Sequence, residues 1–165
     1  MPSAQVALYT PTALVSGQID PGGRRLSDYL NDRMTNFVSI DSATYYDVLA
    51  GGDESFQAVS LTLRKESVVL AVPEDRPDPL RPRVTTNALR IALGFDGFHV
   101  RGSLHRQPSD STRLVELFSN PATRSFFAVS DARIRHLFNS AYDTDVSLVL
   151  VNTKLLQFWA LEGDD

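Results

Sequence analysis

Apolar and polar positions alternate with period two over most of this chain, and two short breaks carry a helical stripe instead. Val6 and Leu8, then Leu14 and Val15, flank the turn Thr10-Pro11-Thr12. Ile91 and Leu93, then Phe98 and Val100, flank Phe95-Asp96-Gly97 in the same manner. Both read as hairpins, and Asp-Gly is a strong turn signal because both residue types tolerate positive φ. Phe98, Val100, Gly102 and Leu104 fall on one face of a strand, with His99, Arg101, Ser103 and His105 on the other. Such alternation predicts one buried and one solvated face.

The stripes follow the hairpins. Leu26, Tyr29 and Leu30 lie at i, i+3, i+4, and so do Leu114, Leu117 and Phe118. Each predicts a short helix. Ser109-Asp110-Ser111 offers N-caps for the second, and Asn120-Pro121 stops it. Helices this short do not hold alone in water, so they must lie as lids on other structure. A third strand carries Phe37, Ile40, Ala43 and Tyr45, matched by Phe126, Val129, Ala132 and Ile134. Loops at Gly51-Gly52 and Tyr142-Asp143 lead into closing hairpins. These turn at Lys65-Glu66-Ser67 in AVSLTLRKESVVLAV and at Asn152-Thr153 in VSLVLVNTKLLQFWAL. Phe37, Phe126, Phe118 and Trp159 read as core.

The same order of elements occurs twice. Gln5–Ile19 aligns without a gap with Arg90–Leu104, and Gly17 falls on Gly102. Arg25-Leu26 answers Arg113-Leu114, FVSIDSA answers FFAVSDA, and VSLTL at Val59–Leu63 answers VSLVL at Val146–Leu150. Four blocks in one order indicate an internal duplication. The predicted organisation is a β-β-α-β-β-β unit over 1–72, a stiff proline-rich linker over 73–87, and a second such unit over 88–165.

This pattern resembles the Sm/LSm-like barrel family. The family's first motif runs around a glycine that Gly17 and Gly102 match. Its second motif is echoed by Leu63-Arg64 and Val68-Val69-Leu70, although Lys65 stands where the family has glycine. Val151-Asn152 replaces the Arg-Gly pair in the second copy. The resemblance implies a mainly β protein of two tandem five-stranded barrels, each with a helix after strand two. It also implies association through exposed strand edges. The chain resembles, too, a bacterial family of fused pairs of unknown function. The family's RNA loop is replaced here by the helices, so its RNA-binding residues are not carried over.

The 165 residues carry a net charge of −4 and no cysteine, which excludes disulfides and thiolate metal sites and weighs against a broad phosphate-binding surface. The N-terminal MPSAQVALY does not read as a secretory signal, no stretch reaches transmembrane length, and a cytoplasmic location is expected. No GxSxG, GxxxxGK[ST] or HExxH motif is present, so no enzyme, cofactor or metal site is expected. Gly22-Gly23-Arg24 reads as a plain turn rather than an anion cradle. His99, Arg101 and His105, with Arg133 and Arg135 on the neighbouring strand, form a candidate anion or nucleic-acid patch. His136 lies on that neighbouring strand too. The expected function is a non-enzymatic interaction or assembly module that self-associates, or binds another protein, through its strand edges. RNA or nucleotide binding at the patch is the alternative.

Overall fold

The computed structural model describes residues 3–50, 55–74, 87–110, 113–120 and 122–163. The loop at Gly51-Gly52 and most of the proline-rich segment lie outside them. Among the described residues, ten strands and two α-helices follow in chain order. They are β1 (Ala4–Tyr9), β2 (Ala13–Ile19), α1 (Leu26–Asn31), β3 (Phe37–Asp47), β4 (Ser55–Arg64) and β5 (Leu70–Pro73). The second half contains β6 (Asn87–Phe95), β7 (Phe98–Arg106), α2 (Leu114–Ser119), β8 (Phe126–His136), β9 (Thr144–Asn152) and β10 (Leu156–Leu161). The fold is mainly β, and one antiparallel sheet holds all ten strands in the order β10-β6-β7-β8-β9-β5-β1-β2-β3-β4.

The expected pair of closed barrels is replaced by this single open sheet. Among the described residues no ladder joins β4 to β5 or β9 to β10. β5 instead pairs with β1 on one side and with β9 of the other half on the other. A tight 3₁₀ turn separates β4 from β5 (Lys65–Ser67) and β9 from β10 (Thr153–Leu155). Each turn sends the chain back to the first strand of its own half rather than into a hairpin ladder.

The halves nevertheless share strand order and register. Val6 lies opposite Gly17 and Ile91 opposite Gly102. The β2–β3 ladder slips between Ser16 and Gln18, and the β7–β8 ladder slips between Arg101 and Ser103. At each slip the facing strand has a left-handed residue, Ser42 (φ 50°) or Asp131 (φ 48°). Each bulge re-aims the strand, so Ile40 and Ala43 both reach the core despite their odd spacing, as do Val129 and Ala132. The glycine is required by closeness. A Cβ on Gly17 would lie 2.8 Å from the Asp41 carbonyl oxygen, and one on Gly102 would lie 2.7 Å from that of Ser130.

The structure corrects one block of the sequence alignment. Ile40 pairs with Leu61, and its counterpart Val129 pairs with Val149. Leu61 therefore corresponds to Val149, one residue beyond the identity of VSLTL with VSLVL. A one-residue shift exchanges the faces of a strand, so the similar letters sit on different sides. Phe37 and Phe126 likewise do not face their own cores; Val38 and Phe127 do.

Two clusters make up the core. One gathers Val6, Leu8, Val15, Ile19, Leu30, Val38, Ile40 and Ala71; the other gathers Ile91, Leu93, Phe98, Val100, Leu117, Phe118, Phe127 and Val149. The helices act as the expected lids, with Leu30 under the first and Leu114, Leu117 and Phe118 under the second. Neither has a side-chain N-cap. Asp110 instead takes both Nη1 and Nη2 of Arg124, at 2.9 and 2.8 Å, and this holds its carboxyl below its ordinary pKa against the cost of burial.

Gly102→Ala should lower unfolding free energy by roughly 1–3 kcal/mol, because the added methyl collides with backbone across the bulge. Gly163→Ala, whose Cβ meets nothing within 4 Å, should leave it unchanged. Chemical denaturation of the two variants checks the contrast.

Candidate functional site

Four of the five patch residues come together on the outer face of β7 and β8, where Arg101 lies opposite Arg133 and His99 opposite Arg135. His105 lies farther along β7, beyond the bulge, with its Nε2 2.6 Å from Ser130 Oγ. Carboxylates from other strands reach into the group. Glu162, just after β10, takes Arg101 on one oxygen and lies 3.6 Å from Arg90 on the other. Asp145 on β9 lies 3.3 Å from Arg133. The shallow groove here is lined by Arg90, Arg101 and Arg133 together with Asp131, Asp145 and Glu162. Acid and base alternate across it, so it concentrates little positive potential.

His136 does not join the patch. It is buried on the opposite side of β8, with its ring edge-on to Phe98 at 4.8 Å. Its Nδ1 accepts the Asn139 N–H at 2.8 Å, which leaves the proton on Nε2, and Nε2 has no partner among the described residues. Among those residues no group of three His, Cys, Asp or Glu could hold a metal ion. None of the described helices is long and apolar enough to cross a membrane.

A second groove lies where the halves meet, and its cations cap helix ends. Lys65 is buried and donates to the Tyr29 and Asp32 carbonyls at 2.9 and 3.1 Å and to Thr35 Oγ1 at 2.7 Å. Burial lowers its pKa, partly countered by Asp32. Lys154 donates to the Asn120 carbonyl at 3.0 Å. Gly22-Gly23-Arg24 is the plain turn expected: Gly22 N–H binds Asp20, and Arg24 binds Asp32 at 2.9 Å.

The feature that sequence reading did not locate is an imbalance between the seam and the sheet's two ends. At the seam, Leu70 pairs with Val151 and Ala71 with Leu150, and all four are buried. Alternate residues enter opposite cores: Leu70, Val72, Val149 and Val151 join one cluster, Ala71 and Leu150 the other. Phe126 crosses the seam into the first half's core at 2% exposure. The unbroken apolar runs Val68–Val72 and Leu148–Val151 were the available signal, since a strand buried on both faces does not alternate. The outer strands carry similar chemistry with less cover among the described residues. β4 exposes Phe56 (54%) and Val59 (93%), and β10 exposes Phe158 (47%) and Leu161 (63%).

Comparison with protein-family models, with characterised proteins and with solved structures finds no match to this chain.

Burial holds the His136 pKa below 6.5, although Asp143 and the Asn139 N–H pull it back upward. Between the folded and unfolded values the unfolded chain binds more protons. This contribution to stability is therefore fully present above pH 6.5 and is lost as pH falls through the folded pKa. His136→Asn, which keeps an acceptor but does not titrate, should flatten the fall in unfolding midpoint from about pH 8 to about pH 5.

Proposed function

We propose that this chain is a non-enzymatic assembly module, built of two Sm-like halves, that associates through the strand edges left open at both ends of its sheet. The observation that carries this reading is the exposure of Phe56, Val59, Phe158 and Leu161 on the two terminal strands. An open edge offers unpaired N–H and C=O groups, and natural sheets commonly blunt such edges with charge or proline. β4 has only its last residue, Arg64, as a charge, and β10 has none; neither contains proline. Shared strand order, matched bulges and the paired glycines Gly17 and Gly102 support the reading of two equivalent Sm-like units.

Hydrodynamic mass tests the proposal. The wild-type chain should exceed the 18.2 kDa of a single copy and fall towards it on dilution. Thr62→Pro should hold the chain at the single-copy mass. Lys65 donates its N–H to the Asn36 carbonyl at the end of the β3–β4 ladder, so by strand alternation Thr62 points its own N–H away from β3. Proline there removes an outward donor and leaves the β3–β4 ladder intact. A wild-type chain that stays at single-copy mass at every concentration overturns the reading.

A further inference from the structure

Resting on that reading, we propose that the partner at these edges is a second copy of this chain, whose β4 docks antiparallel on β10 in the register of the internal seam. The seam joins the fifth strand of one half (β5) to the fourth strand of the other (β9). Among the described residues, what remains open is one edge of the fourth strand of the first half (β4) and of the fifth strand of the second (β10). The two edges are the two sides of a contact the chain already makes once.

Shared partners set the register. Leu70 lies opposite Tyr9 and Phe158 opposite Gly94, at equivalent positions of β1 and β6. Val151 lies opposite Phe127 and Leu63 opposite Val38, at equivalent positions of β8 and β3. Because Leu70 faces Val151 across the seam, Phe158 of one copy faces Leu63 of the next. Trp159 then faces Thr62. Exposure follows this equivalence. Phe126 is 2% exposed at the seam, whereas its counterpart Phe37 is 48% exposed, with the Arg64 guanidinium 4.9 Å over its ring. Leu70 is fully buried, and its counterpart Phe158 is 47% exposed. Phe158 on β10, and Phe37 on β3 beside the open β4 edge, are thus exposed apolar side chains whose counterparts at the seam are already buried.

The contact between copies lacks part of the seam. Asn31, the last residue of α1, clasps the start of β8: its Oδ1 accepts the Ser125 and Phe126 N–H groups at 2.9 and 2.8 Å, and its Nδ2 donates to the Phe126 carbonyl at 3.0 Å. Its counterpart at the end of α2 is Ser119, too short to make three such bonds. Leu150 and Ala128 are replaced on the open edge by Thr62 and Ser39. The contact is therefore weaker than the seam and reversible. It is heterologous, so copies add head to tail until the assembly closes or extends.

The absence of native cysteine allows a clean test. Leu63→Cys and Phe158→Cys variants, carrying tags of different mass, are mixed and mildly oxidised. The facing pair corresponds to the closer, non-hydrogen-bonded type, with Cα atoms about 4.5 Å apart and within disulfide reach. Disulfides between the two variants should exceed those within either, and Val59→Cys mixed with Phe158→Cys should give few. Ser119→Asn should tighten association about fivefold, from roughly 1 kcal/mol of added hydrogen bonding. Links within one variant that dominate, or links that ignore register, overturn this pairing while multi-copy mass keeps the edge-assembly reading. A wild-type chain at single-copy mass removes both.

Discussion

Pairing of β5 with β9 is the constraint on which the rest of the molecule depends. It turns two five-stranded halves into one sheet and gives β5, the shortest of the described strands, cover on both faces. A half of this size buries little by itself. The seam adds apolar surface to each core from the other half: Tyr9, Leu70 and Val72 on one side, Phe126 and Leu150 on the other. At roughly 1.5–3 kcal/mol for each large apolar side chain removed from water, these crossings are comparable to the net stability of a small domain. The Asn31 clasp and the Asn152 side chain, which donates to the Val68 carbonyl at 2.9 Å, fix the alignment of the two halves in register.

Within each half the bulge and its glycine do the shaping. A left-handed residue on the third strand bends it over the second, and the missing side chain of Gly17 or Gly102 lets the backbones approach. The short helices then close the core from one side, their exposed carbonyls taken by Lys65 in the first half and Lys154 in the second. Charge serves the same economy elsewhere. On the outer face of the second half Arg101 meets Glu162 and Arg133 meets Asp145, and beside α2 Arg124 meets Asp110.

Strand and helix identity were legible because they depend on local alternation: the two opening hairpins, the Asp96-Gly97 turn and the two stripes are where the pattern puts them. The two expected closing hairpins are not hairpins, because β5 and β10 return to the first strand of their own half. The doubled order of elements was equally legible. Its register was not legible throughout, because the match of Val59–Leu63 with Val146–Leu150 compares letters, whereas Ile40 and Val129 decide which residue faces which core. Phe37 and Phe126 show the same limit. Their spacing marks both as apolar strand positions, yet one is buried across a seam and its twin is left half in water.

The amino-acid order by itself determined the elements, their repetition and the two glycines, since backbone propensity and side-chain alternation act over a few residues. Tertiary structure alone decided that β5 would leave its own half's β4 and pair with β9, that Glu162 and Asp145 would meet the arginines, and that β4 and β10 would each keep one edge unpaired among the described residues. Those outcomes depend on which remote strands come to lie side by side, and burial is a property of the neighbour rather than of the residue.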